Sequence, residues 1–398
     1  MFPVFLMYFF WGFGTGGLWL VRPLFAYQIG GTFLLVAIVS SVSAMPRLVT
    51  SPVTGYLTDR YGRKPFVIAG SVLHVIAMTS DFFVETYIPF LLLEVLGGIG
   101  ISVWMTSANI LMADATRVET RGRVVAVREI SSRFGLLVGP IAAGFVGWSL
   151  GLKYIFFFIA ISKVAVIIVT VLWIKESRHP RVEKLSRSKG RSPALDLTMF
   201  KTRAFLALAV GTFTVSMVGG GTGVFRTLFP PHSSEVAGFS EVQIGLLLAI
   251  AGGSALVSTM PAGIITDRYG RKRTLLFGLF VTALAVFTMT LGVTFTIAAL
   301  AVVTFGLSEA FAWGTMQVYA MDLAPEDRRG SFLGVWGFFQ NLGQIAGPLL
   351  IGTIADSLGF NIAFAVVSGM LVVGATMVFL FGEETSTRSV PSVKPRSG

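Results

Sequence analysis

Apolar runs of about twenty residues, the length that crosses a bilayer core as a helix, follow one another along nearly the whole chain. They cover roughly 2–26, 32–57, 66–84, 86–113, 124–150, 153–174, 203–229, 240–263, 274–292, 294–321, 331–357 and 359–382. A helix satisfies its own backbone N–H and C=O groups, which hydrocarbon cannot do for it. The pattern therefore predicts an all-α membrane protein with twelve spanning helices. Two polar stretches divide it into a six-helix bundle at 1–174, a linker at 175–202, a second bundle at 203–382, and a tail at 383–398. The tail's Ser, Pro, Arg and Lys content predicts disorder. Short loops elsewhere make sequential helices neighbours, and an even count orients both bundles alike about an axis along the membrane normal.

The halves are related in sequence. GYLTDRYGRKP, from Gly55 to Pro65, recurs as GIITDRYGRKR, from Gly263 to Arg273, after a shift of 208 residues. The same shift carries Asp114 to Asp322, Gly135 to Gly343, Gly139-Pro140 to Gly347-Pro348, and Gly151 to Gly359. One register held over almost a hundred residues marks an internal duplication, an architecture of secondary transporters whose ligand path runs through the seam between repeats.

Composition agrees: 54% of residues are hydrophobic and 13% charged, with a mean hydropathy of +0.78, in the range of membrane proteins. A net charge of +11 would suit nucleic acid were it spread over a surface. Instead, 24 of the 31 Lys and Arg residues fall in 58–65, 115–123, 175–203, 266–273, 325–330 and 383–398. That asymmetry predicts a cytoplasmic position for these loops and both termini, in a cell membrane, and no nucleic-acid partner is expected. The apolar run from Phe2 lacks a basic leader, so no cleavable signal is expected. There is no cysteine, and the three histidines are scattered, so no metal site is expected. No catalytic or phosphate-cradling set is apparent. The chain reads as a transporter without a cofactor, and not as an enzyme.

Two GxxxDRxGRK loops, one per half and both on the basic side, resemble the hallmark of the major facilitator superfamily. The resemblance spans nearly the whole chain and is nearest in character to its twelve-helix drug/proton antiporters. In the motif, Gly55 and Gly263 suit close helix approach, and Gly62 and Gly270 suit a left-handed turn. Asp59 and Asp267 sit at helix ends, and Arg60, Arg63, Arg268 and Arg271 are available to Asp114 and Asp322. The resemblance implies that this cluster latches the halves together on the cytoplasmic side. Gly139-Pro140 and Gly347-Pro348 remove a backbone donor and are expected to bend the fifth and eleventh helices; the family's exporter signature is only partly matched there.

Ionisable residues inside helices are costly and are candidates for function. The family places helices one, four, seven and ten around the cavity, which makes Glu94 and Glu309 candidates for proton coupling, with H+ the implied ion. A fixed ion pair of Glu94 with Arg22 or Arg47 is the other reading. Glu94 stands where proton-driven relatives usually carry arginine. Arg22, Arg47 and Arg226 are candidate substrate contacts, although Arg22 and Arg226 lie near helix ends where arginines snorkel. Trp104, Asn109, Trp313 and Gln317 are candidate cavity lining, with Tyr8, Trp11, Trp19 and Tyr319 on the same helices. Lys163, mid-helix on the sixth, has no role readable from sequence. The function expected is proton-coupled efflux of hydrophobic or amphipathic compounds by a monomer. Proton-coupled uptake of a small anionic metabolite or sugar is the alternative.

Overall fold

A computed structural model describes residues 2–115, 121–176, 202–292, 294–325 and 329–385. The first bundle comprises α1 (Phe2–Gly30), α2 (Phe33–Tyr61), α3 (Lys64–Asp81), α4 (Tyr87–Ala115), α5 (Arg121–Leu150) and α6 (Tyr154–Trp173). The second comprises α7 in two pieces (Arg203–Val218 and Val224–Glu235), α8 (Glu241–Tyr269), α9 (Arg271–Leu291), α10 (Phe295–Leu323), α11 (Arg329–Leu358) and α12 (Phe360–Phe381). Nine stretches among the described residues are long and apolar enough to cross a membrane. The remaining three spans are α3, which carries a charge at each end, the divided α7, and α11. Residues 177–201 of the linker and 386–398 of the tail lie outside the described residues.

Helix starts follow local chemistry. Thr32, Thr202 and Thr294 accept hydrogen bonds from the backbone N–H three residues on, and Ser240 forms a capping box with Gln243; these side chains satisfy donors that a helix cannot satisfy internally.

Three helices depart from the continuous spans expected. The second is interrupted at Met45, where Pro46 opens a new segment. The seventh stops at Val218 and resumes at Val224, because the run GGGTG at 219–223 offers little resistance to leaving the helix. The tenth contains a π turn at Ala310–Gly314.

The bundles meet along two seams, α5 with α8 and α2 with α11, and α1 touches the second piece of α7. Away from the basic loops the seams are closed. Gly245 rests on the Pro140 carbonyl, and Gly352 on Phe33 and Ala37. Ser41 Oγ donates to the Ile345 carbonyl at 2.7 Å, and the Phe33 and Phe360 rings lie 4.3 Å apart. Asp356 of α11 accepts from the Phe33 and Leu34 backbone N–H groups, both at 2.8 Å, so one bundle caps a helix of the other. Toward the basic loops the seams part. Gly55, Gly263, Gly334 and Gly337 face open space, and Val49 and Met260 are 69% and 75% exposed. Among the described residues, the seams are packed on one face and apart toward the basic face.

Asp356→Ala is therefore expected to loosen the closed face. Loss of a helix cap costs about 0.5–2 kcal/mol, or about 2- to 30-fold in the closed-to-open ratio. Because the chain has no cysteine, Ser41→Cys supplies a single thiol at a buried seam position. Its labelling by an impermeant maleimide should rise in the Asp356→Ala background, and unchanged labelling would show that this cap does not hold the face shut.

Candidate functional site

At the basic face the duplication recurs in three dimensions. Arg63 Nε lies 2.8 Å from Asp114 Oδ2 and its Nη2 3.1 Å from Asp59, while Nη1 donates to the Thr58 carbonyl. Arg271 repeats this with Asp322 at 2.9 Å, Asp267 at 3.3 Å and the Thr266 carbonyl. Gly62 and Gly270 both turn the chain at φ +100°, in the region that favours glycine. Two further carboxylates complete the clusters. Glu176 accepts from the Arg63 and Lys64 backbone N–H groups at 2.9 and 3.1 Å, and Glu384 from those of Arg271 and Lys272 at 2.7 and 3.4 Å. Each neutralises the positive end of α3 or α9. Sequence reasoning missed both, although they obey the 208-residue shift. Glu384 also fixes the start of the segment expected to be a disordered tail, as does Glu383, whose N–H donates to Tyr319 Oη.

The expected latch takes a different form here. Among the described residues, the ion pairs of the two clusters close within their own bundles, and a Cβ added at Gly55 or Gly263 would meet nothing within 4 Å. Arg60 and Arg268 lie over Tyr61 and Tyr269 rather than in the pairs. With its partners supplied locally, each arginine stabilises a loop instead of spanning the open crevice.

Where α7 is broken, the second bundle presents a compact polar group. Arg226 Nη2 stands 3.0 and 3.1 Å from the two oxygens of Glu309, and Nη1 donates to the Gly220 carbonyl in the break. The guanidinium lies over Trp19 of α1, 4.0 Å from the ring centroid. Glu309 directly precedes the π turn, and π turns are frequent at functional sites because they re-aim side chains. Trp313 lies in that turn, with Gln317 one turn beyond; both are half-buried. Arg47 reaches from α2 to the neighbourhood of Gly221 and has no carboxylate partner among the described residues. Arg226 and Glu309 are 11% and 21% exposed, so the pair is partly accessible.

The first bundle buries its charges more completely. Arg22 Nε is 2.7 Å from Glu94 Oε2, without the alignment of a hydrogen bond. The snorkelling expected of Arg22 and Arg226 gives way to ion pairing, because each has a carboxylate within reach inside its bundle. Lys163 Nζ donates to the Trp11 carbonyl at 2.7 Å and to Thr15 Oγ1 at 3.2 Å, and lies 3.8 Å above the Trp11 ring. The lysine thus clamps α6 to the middle of α1, with a cation–π contribution of about 1–2 kcal/mol. Trp104 stacks on Trp11 at 3.5 Å and meets Tyr8 edge-on. It is buried in a cluster with Tyr8 and Trp11, its large ring bridging α1 and α4. Asn109 accepts from Arg128 at 3.0 Å, at an exposed position.

The Gly-Pro pairs do not interrupt α5 or α11, each of which runs through as one helix. Gly139 packs on the Phe13 backbone, Pro140 contacts Gly16 and Gly245, and Gly347 abuts Met217. These residues serve close packing: a missing side chain and a missing N–H let neighbouring backbones approach.

The model of the family described as Major Facilitator Superfamily matches residues 4–255 and, again, 211–397. The multidrug resistance protein MdtG of Salmonella arizonae is 24% identical over 359 residues, covering 89% of this chain and 88% of that protein. Its namesake from Dickeya zeae is 26% identical over 362 residues, with 89% and 86% covered. Among solved structures, a bacterial homologue of the human lysosomal transporter Spinster superposes with a TM-score of 0.79 at 14% identity, over 95% of each chain.

Proposed function

The chain belongs to the Major Facilitator Superfamily, and from that premise we propose that it exports hydrophobic or amphipathic compounds in exchange for protons. It is a multi-pass membrane transporter. In the proposed orientation the basic face and both termini are cytoplasmic, the chain works as a monomer, and the crevice opens to the cytoplasm.

The observation that carries this reading is the Arg226–Glu309 pair, set beneath Trp19 at the break of α7 in the open crevice. An aromatic ring and a carboxylate already neutralised by arginine suit a cationic amphiphile, which can stack on the ring and draw the carboxylate away from Arg226. Apart from this pair, an open apolar groove of about 380 Å³ at the α5–α8 seam, lined by Leu137, Ile141, Leu246, Ile250 and Val257, gives a greasy molecule a surface along the seam. The names of the curated relatives point the same way. Uptake of an anion is less well served by Arg22 and Arg226, each neutralised by a glutamate, and is left with Arg47 alone of the three arginines.

Purified protein in liposomes, offered tetraphenylphosphonium, a sugar and a small carboxylate, with and without a pH gradient, tests this. Gradient-dependent movement of the phosphonium alone is expected. Movement of the sugar or carboxylate alone would replace export with the uptake alternative.

A further inference from the structure

Asp81 is a titratable group that the crevice does not use. It ends α3, is fully buried, and neither carboxylate oxygen has a hydrogen-bond partner. Glu94 of α4 is likewise fully buried, with neither oxygen hydrogen-bonded. Asp81 lies within electrostatic reach of Glu94 and of Arg22, and Arg22 stands against Glu94. The charged groups that act on Asp81 are Glu94 and Arg22. His74, on α3 itself, is buried without a partner and lies within electrostatic reach of Lys163 of α6 and of Arg22; Lys163 is bound to α1. Arg47 of α2 lies within electrostatic reach of Arg22 and near Gly221, and Lys153, just before α6, sits over Phe25.

Of the guanidiniums nearby, Arg22 is the one that acts on Asp81, and it is held in contact with Glu94. A carboxylate removed from water and lacking donors is strongly disfavoured, so Arg22 balances one negative charge and the other carboxyl must carry a proton. We propose that Asp81, Glu94 and Arg22 form a proton-holding site inside the first bundle, separate from the substrate crevice, and that this is the site of the coupling proton. The proposal rests on the antiport reading above and specifies where its proton resides.

The site is mechanically connected to the crevice. Arg22 and Trp19 lie three residues apart on α1, on one face of the helix. Arg22 holds Glu94, while Trp19 lies against Arg226. With the proton bound, Arg22 faces a single charge; with the proton gone, it faces two and is drawn between them. That displacement shifts α1, and with it the ring seated on Arg226. Substrate and proton thus compete through α1 without sharing a carboxylate.

Two measurements test this. Infrared difference spectroscopy on purified protein should show a protonated-carboxyl C=O band that is absent in Asp81→Asn and kept in Asp81→Glu. In liposomes, Asp81→Asn should lose pH-gradient-driven accumulation of tetraphenylphosphonium by about tenfold or more, yet retain equilibrium exchange without a gradient. A merely structural role would depress both activities together and would overturn the proposal, as would an unchanged band or unchanged gradient-driven accumulation. If Asp81→Asn does not fold, Glu94→Gln takes its place. It leaves Arg22 to Asp81 alone, and the gradient-driven component should vanish while exchange persists; a retained component would overturn the proposal. Wild-type protein that accumulates nothing under a gradient would sink the antiport reading, and the band would still decide whether Asp81 holds a proton.

Discussion

Gly245→Leu is expected to reduce net transport to the level of protein-free liposomes while leaving the chain folded in the membrane. A Cβ at this position would run into the Pro140 carbonyl across the α5–α8 seam. Backbone cannot move aside as a side chain can, so the cost lies at or above the usual 1–3 kcal/mol of overpacking. The closed face would be held apart and the cycle stopped with it open. A Ser41→Cys reporter should then become accessible to impermeant maleimide, by about tenfold or more for a shift above 1.4 kcal/mol. Gly253→Leu is the control on the same helix. Its added atom meets only the end of the Leu137 side chain, at 3.3 Å, and flux should survive. Normal flux in Gly245→Leu would mean that this seam does not need to close during transport.

Glu309→Gln should have the second-largest effect. Breaking a buried ion pair from one side costs about 3–5 kcal/mol; with the partners 11% and 21% exposed, about 2–3 kcal/mol is expected here. Arg226 would keep only the Gly220 carbonyl and the Trp19 face, leaving a net positive charge in the crevice. Cationic amphiphiles should lose about tenfold or more in apparent affinity, whereas uncharged hydrophobic compounds should lose little. Arg226→Gln combined with Glu309→Gln removes the stranded charge and should restore protein yield without restoring recognition of cations. Tetraphenylphosphonium binding by calorimetry on purified protein measures this directly. Equal losses for charged and neutral compounds would show that Glu309 supports the fold and makes no contact with substrate.

Much of the fold is legible in the sequence because bilayer physics is strict. A span must be apolar over about twenty residues, and the duplication supplies an internal check on each position. The DRxGR clusters, Gly62 and Gly270 could be read for the same reason. Three things escaped. Glu176 and Glu384 lie just beyond helix ends, where a carboxylate looks like ordinary polar sequence; only the repeat distance singles them out. Asp81 lies inside the apolar run at 66–84, and nothing in one sequence places Arg22 and Glu94 within its electrostatic reach. The pairing of Arg226 with Glu309 depends on which helices face each other, and side-chain reach cannot be inferred from position along a helix; the pair of Arg22 with Glu94 is one of the two readings that the sequence left open. The break in α7 falls at GGGTG, inside the continuous span expected at 203–229.

The two copies have also diverged in stiffness. In the first, Lys163 clamps α6 to α1, and Trp104 stacked on Trp11 ties α1 to α4. In the second, α7 is broken between Val218 and Val224 and α10 is locally underwound by a π turn. A gene duplication that began with equal partners has thus produced an anvil and a spring. Amide exchange should be fastest around 219–223 and 310–314, and ligands that arrest the protein should work by splinting those two joints.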